Sequence, residues 1–398
     1  MKEVAIVGGG ILGLAIGYHL STSKSKFRVS LFEKESEIGK HQSGNNSGVL
    51  HCGLYYQPNS LKAKLAVDGI REMISFCKVN HINHDVCGKI VVANNDREVG
   101  FLRNLADRGN KNGVKGLKYL SNKKLQEREP NVRAKKALLV PEEGIVDYKQ
   151  VMNTLSNFIL GNDGDIYLNH KVESAKETSV SKILLKTNQI QKEFDVVINC
   201  AGLYSDRNYN NLIKKKSPIK IVPFRGEYMQ IKDKYRDIVN HLIYPVPDPN
   251  YPFLGVHFTR MTNESREVGP NAVLALKREG YNKTDFSLRD AYDSLTYKGF
   301  VNFITRNFSF AMGEFASSFS NKAFLQKAKN LVPDIEEYMF RKDGTAGVRA
   351  QALSPKGELI KDFKIIKDGN QIHVLNAPSP GATASLSIAK YILDKYIN

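Results

Sequence analysis

The stretch Val4-Ala5-Ile6-Val7-Gly8-Gly9-Gly10-Ile11-Leu12-Gly13-Leu14-Ala15-Ile16-Gly17-Tyr18 decides the fold. An apolar run of strand length stops at three glycines, after which Ile11, Leu14, Ala15 and Tyr18 recur at helical spacing. In the pattern Gly8-x-Gly10-x-x-Gly13 the first glycine permits a tight turn. The second lets backbone approach a pyrophosphate, the third lets helix pack on strand, and the helix N-terminus faces the negative charge. The next apolar run, Val29 to Phe32, ends in Glu33, 20 residues after Gly13, where an acid accepts hydrogen bonds from a ribose. Strand, helix and acid in register predict a dinucleotide-binding βαβ unit, with Ile11 and Leu12 at the cofactor end of the helix.

Around this unit lie 398 residues, enough for two or three domains or one large interleaved α/β unit. With 41% apolar and 25% charged residues and no low-complexity tract, the disordered, collagenous and repeat classes are excluded. Lys and Arg number 58 against 41 Asp and Glu, so the net charge of +17 predicts attraction to an anionic partner. The densest basic cluster, Lys214 to Lys216 with Lys220, reads as a solvated loop, and no zinc finger, RRM or comparable module supports nucleic-acid binding. Cys52, Cys77, Cys87 and Cys200 form no CxxC pair, which predicts reduced thiols, no zinc site and a cytoplasmic protein. The long uncharged stretch Val4 to Ser23 is too rich in glycine for a spanning helix and lacks the frame of a signal peptide, so neither is expected.

Farther along, a polar, glycine-rich loop from Gly39 to Tyr56 precedes a helical pattern from Leu61 to Asn80. Phe194 to Gly202 reads as a second buried parallel strand whose small-residue tip meets a ligand. Glu227 to Ile231 and Phe253 to Phe258 read as antiparallel strands of a substrate-binding sheet. Helical patterns cover Phe286 to Met312, Asn321 to Leu331 and, closing the chain, Ala384 to Tyr396.

The segments HQSGNNSGVLHCGLYY (His41 to Tyr56), NSLKAKLAVDG (Asn59 to Gly69), GIVDY (Gly144 to Tyr148), CAGLYSD (Cys200 to Asp206), VPFRGEY (Val222 to Tyr228), FLGVHFTRM (Phe253 to Met261), VGPNAVLALKREGY (Val268 to Tyr281), AGVRAQAL (Ala346 to Leu353) and NAPSPGAT (Asn376 to Thr383) occur in one order along nearly the whole chain. Together they closely resemble the L-2-hydroxyglutarate dehydrogenase/oxidase family, within the D-amino-acid-oxidase-like flavoproteins. One departure is Asn45, where the family often carries His. The resemblance implies a Rossmann-like FAD-binding domain (1–85, 142–215 and 340–398) interleaved with an antiparallel-sheet substrate domain (86–141 and 216–339). It also implies oxidation of L-2-hydroxyglutarate to 2-oxoglutarate, with FAD favoured over NAD. The expected cofactor-contacting set is Gly8, Gly10, Ile11, Leu12, Gly13, Glu33, Lys34, His41, Ser43, Ser47, Gly48, Val172, Ala201, Gly202, Ser379, Gly381, Ala382 and Thr383.

Oxidising a 2-hydroxy acid requires a base for the hydroxyl proton, a hydride acceptor and cations for carboxylates. Imidazole is suited to the first task, and His51, in the loop the resemblance sets beside the flavin, is the leading candidate, with His257 its rival. A guanidinium fork matches a carboxylate, and because related amino-acid oxidases place an arginine at the corresponding turn, the resemblance assigns Arg349 to the carboxylate next to the reacting carbon; Arg225 and Arg260 are candidates for the distal one. Tyr55, Tyr56 and Tyr244 are candidate hydroxyl donors. From Tyr297 to Phe308 aromatics interleave with cations, consistent either with a core helix that shows one basic face or with an interfacial helix on an anionic membrane. The second reading suits electron transfer to a quinone at the cytoplasmic face of the membrane. Competing functions are an FAD oxidase or dehydrogenase of another hydroxy or amino acid, for example glycerol 3-phosphate, and a basic flavin-bearing interaction protein.

Overall fold

The computed structural model describes residues 1–23, 26–249, 254–307 and 321–397. The opening strand Lys2–Val7 lies at the heart of a six-stranded sheet, between Val196–Asn199 and Phe27–Phe32, parallel to both. Asp165–Tyr167 and Gln371–Asn376 extend the parallel core, and Lys364–Asp368 closes one edge antiparallel. Alternate residues divide the two faces. Val4 and Ile6 pack in one core with the helices Ile11–Ser21, Tyr148–Gly161 and Ser385–Tyr396. Ala5 and Val7 pack in another with the meander Val172–Glu177, Ile183–Thr187 and Gln191–Phe194. A parallel strand buried on both sides is why the opening run is apolar at every position from Val4 to Val7.

A nine-stranded, mostly antiparallel sheet carries the rest. Its axis is the pair Lys220–Ile231 and Phe340–Leu353, flanked by Arg266–Gly269, His257–Arg260, Leu242–Pro245 and Lys89–Ala93. Phe340–Leu353 belongs to this sheet by its hydrogen bonds, so the boundary expected at residue 340 separates two strands that pair along their length. A small three-stranded sheet, Val49–Leu50, Gly144–Val146 and His84–Asp85, lies beside them.

The helical pattern expected from Phe286 onward is two helices, Leu288–Leu295 and Lys298–Arg306, broken at an extended Tyr297. Gly299 abuts the Ser354 carbonyl, and the break lets Phe300 and Phe303 pack edge-on against Phe224. The remainder of that pattern to Met312, the end of the segment at Phe308, and Phe253 lie outside the described residues. Among the described residues no helix is long and apolar enough to cross a membrane. All four cysteines are free. Lys214 turns the chain with φ 56° and exposed Lys215 pairs with Asp368, so this basic run is a solvated loop.

Candidate active site

The dinucleotide cradle is built by backbone contact. Gly8 has φ 112°, and a Cβ there would stand 2.7 Å from the Cys200 carbonyl oxygen. A Cβ on Gly13 would collide with the Gly8 carbonyl, so helix and strand touch as the motif requires. The helix starts at Gly10 with no side-chain cap; instead Ile11 N–H donates to Ser43 Oγ at 3.0 Å. Glu33 is buried, its carboxylate held by Gly9 N–H at 2.7 Å and Glu35 N–H at 3.0 Å. The glycine turn at the helix N-terminus, the close backbone approach and a fixed acid at the strand end fit an FAD pyrophosphate and ribose.

The remaining expected cofactor residues surround this cradle. Gly202, with φ 49°, follows Ala201 at the tip of Val196–Asn199 and faces the Gln42 side chain. Gly48, with φ 66°, follows Ser47, and its N–H donates to Asn46 Oδ1. Asn45 ties its own loop together by donating to the Lys40 and His41 carbonyls. Val172 is buried beside Phe32. Lys34 and His41 meet Glu35 and Glu279 in a charge cluster, with Lys34 Nζ 2.5 Å from both carboxylates and 3.2 Å from His41 Nε2.

The turn from Ser379 to Thr383 joins the cradle to the reacting centre. Thr383 Oγ1 accepts His51 N–H at 3.2 Å and bonds Tyr148 at 2.9 Å, and Tyr56 hydrogen-bonds Ser379. Gly381 lies close against the Ala377 carbonyl, and Ala382 packs on the helical core.

Strand register then gathers the chemistry. Side chains on one face of the large sheet include Lys89, Tyr244, His257, Thr259, Tyr228 and Arg349. Tyr244 stacks on His257 at 3.9 Å between centroids, and the Tyr228 hydroxyl bonds the Arg349 guanidinium. Lys89 Nζ lies 4.0 Å from the Tyr244 ring centroid and 5.2 Å from that of Tyr55. Lys89 and Glu143 are an ion pair with no exposed side-chain surface, whereas His51, 3.6 Å from Glu143, keeps 18% of its side chain open. The Tyr55 hydroxyl is buried without a hydrogen-bond partner among the described residues. Burial, then the Lys89 charge, lowers the His51 pKa, leaving a neutral imidazole at neutral pH. Burial tends to raise Glu143, but Lys89 and His51 outweigh it and the carboxyl titrates at about 2.

The sequence profile of the FAD-dependent oxidoreductase (DAO) family matches residues 3–395. The chain belongs to this family. The FAD-dependent oxidoreductase is 46% identical to an L-2-hydroxyglutarate dehydrogenase from Indibacter alkaliphilus over 97% of this chain and 96% of that one. It is 40% identical to the Escherichia coli L-2-hydroxyglutarate dehydrogenase, over 99% and 93% of the two chains. Against the human mitochondrial L-2-hydroxyglutarate dehydrogenase identity is 39%, over 99% and 88%. Its fold is that of FAD-bound L-α-glycerophosphate oxidase from Mycoplasma pneumoniae, with TM-score 0.78 at 22% identity, covering 98% and 93% of the chains.

Within this oxidoreductase, two expected substrate residues stand apart from the cluster. Arg225 is one residue out of phase with Tyr228, so it emerges on the opposite face, where it donates to Glu227 and to the Asn282 carbonyl. Arg260, out of phase with His257 and Thr259, pairs with Asp85 and Glu264. Both side chains are engaged in ion pairs away from the cluster. His257, the rival base, is buried under Tyr244 and bonded through Nδ1 to the Gly255 carbonyl, and burial pulls its pKa down to about 3. Sequence reasoning missed Lys89, Glu143 and Tyr228. Only Tyr228 carried a signal, the alternation that sets it two residues from Gly226 on the strand facing Arg349.

Proposed function

We propose that this FAD-dependent enzyme oxidises L-2-hydroxyglutarate to 2-oxoglutarate. The observation that carries the reading is a neutral, partly open His51 sharing a cluster with the Arg349 guanidinium and an unsatisfied tyrosine hydroxyl. Relatives at 39–46% identity over nearly the full chain carry the name of that activity. FAD, when bound, supplies the acceptor for the C2 hydrogen and two electrons. Arg349, steadied by Tyr228, grips the carboxylate beside C2, and His51 takes the C2 hydroxyl proton. The Tyr55 hydroxyl is placed to donate to a substrate oxygen.

A substrate series tests this. L-2-hydroxyglutarate should exceed its distal amide and glycerol 3-phosphate in kcat/KM by at least ~10-fold, the scale of one charge-assisted hydrogen bond. Equal rates for all three would move the assignment to another hydroxy acid.

Peripheral contact with an anionic membrane at its cytoplasmic face, as a route to a quinone, is part of the same reading, carried by a different helix from the one expected. Phe300 and Phe303 of Lys298–Arg306 face inward, whereas Leu288, Tyr292 and Leu295 of the preceding helix form an exposed stripe, with Leu288 76% and Tyr292 68% exposed. Exposed Arg289 and Lys298 flank it. Co-sedimentation with phosphatidylserine vesicles that is lost in Leu288→Gln/Tyr292→Gln would support it, and no sedimentation of the parent would remove it.

A further inference from the structure

Three residues that belong to three separate segments of chain meet under the reacting centre. Lys89 opens a strand of the large sheet, Glu143 directly precedes a strand of the small one, and His51 follows another strand of that small sheet. Lys89 and Glu143 pair with no exposure at all. Burying such a pair gives little net stability compared with apolar residues of the same volume, so its presence calls for another reason. Glu143 Oε1 accepts from Cys52 N and Sγ, both at 3.3 Å. Glu143 Oε2 faces the Lys89 ammonium and stands 3.6 Å from His51 Nδ1, and these two partners hold its carboxyl in the charged form. Lys89 Nζ is 3.5 Å from the same Nδ1, and the Tyr244 and Tyr55 rings take up part of its charge.

We propose that Glu143 and Lys89 are positioning residues for His51: Glu143 Oε2 holds the Nδ1 proton and so turns Nε2 into the proton acceptor, while Lys89 limits how basic that nitrogen becomes. The inference rests on His51 serving as the base. When the substrate O–H bond breaks, its proton forms the Nε2–H bond, and the resulting imidazolium meets both the Glu143 anion and the Lys89 cation at its Nδ1 edge. A lysine hydrogen bond to Nδ1 would instead leave Nε2 protonated and unable to act. The other charged or titratable groups facing His51 are Lys62, from the helix Leu61–Val79, and His257, from its strand.

The two charges act in opposite senses, which separates this role from structural support. Anaerobic flavin reduction by L-2-hydroxyglutarate is followed across pH in the holoenzyme. Glu143→Gln should slow it about 100-fold, the scale of a misplaced catalytic group, and move its acidic limb to lower pH. Lys89→Met should move that limb to higher pH. The double variant leaves no orphaned charge and guards against misfolding of the single ones; its limb should return toward the parent value while the rate stays low. Parent-like rate in the double variant, or limbs that move in the same direction in both single variants, would overturn the proposal. The ¹⁵N NMR titration of His51, identified by its loss in His51→Gln, gives the tautomer without any substrate. An Nδ1-protonated ring that titrates lower in Glu143→Gln supports the proposal even if L-2-hydroxyglutarate is the wrong substrate, and an Nε2-protonated ring sinks it.

Discussion

Alanine in place of His51 removes the cluster's neutral, partly open imidazole while leaving the cradle at Gly8 to Gly13 untouched. Flavin reduction by substrate should slow by ~100- to 10,000-fold, as on loss of a general base, with FAD content unchanged. A stopped-flow rate within threefold of the parent would take His51 out of this role. The arginines make a paired prediction. Arg349→Met should raise KM at least ~10-fold through loss of a charge-assisted carboxylate contact. Arg225→Met, on the opposite face, should leave KM alone and lower stability by about 1–3 kcal/mol, because Glu227 loses a buried partner. A KM effect for Arg225→Met equal to that of Arg349→Met would contradict the assignment. Each arginine sits in a strand-like run, Arg225 in VPFRGEY and Arg349 in AGVRAQAL, and strand parity separates them only once the register Phe224 to Arg349 is known. Lys89 and Glu143 were invisible for a related reason. A lysine at the head of an apolar strand and a glutamate in a Pro-Glu-Glu-Gly turn read as solvated ends until long-range packing buries both.

At the scale of elements, the fingerprint helix was legible because its constraint is local: Gly13 is required by an atom five residues away. Gly13→Ala drives a Cβ into the Gly8 carbonyl, so the variant should purify colourless or insoluble. A yellow, fully loaded Gly13→Ala protein would show that the close approach is dispensable. The helix after Phe286 was read with the right period and the wrong continuity. Periodicity reports which side chains face inward, and both helices obey it, but at the break Tyr297 bonds the Leu353 carbonyl and Gly299 abuts the Ser354 carbonyl, long-range contacts that no local pattern encodes. The same distinction decides between the two readings of Tyr297 onward: aromatic and basic residues alternate there, and packing against Phe224 turns Phe300 and Phe303 inward, as in a core helix.

Over the whole molecule, His19, His51, His257 and His373 all have pKa values lowered chiefly by burial, the last two to about 3 and about 4. Each folded-state value lies below the ordinary 6.5, so the unfolded chain gains protons first as pH falls. Their stabilisation is complete above pH 6.5 and is lost toward the folded values; for His373 the loss by pH 4 is about 3 kcal/mol. The melting temperature should therefore fall between pH 6.5 and 4, and His373→Leu should flatten that fall. An unchanged acid slope in the variant would contradict it. The net charge of +17 suits a dianionic substrate, since a basic surface raises the encounter rate of an acid in a salt-dependent way. The measurement that bears most directly on the central claim is the anaerobic absorbance spectrum of the FAD-loaded protein before and after each enantiomer of 2-hydroxyglutarate. Bleaching of the flavin band by the L form alone, with 2-oxoglutarate formed in equal amount, is the predicted result. A loaded flavin that neither enantiomer bleaches would contradict it.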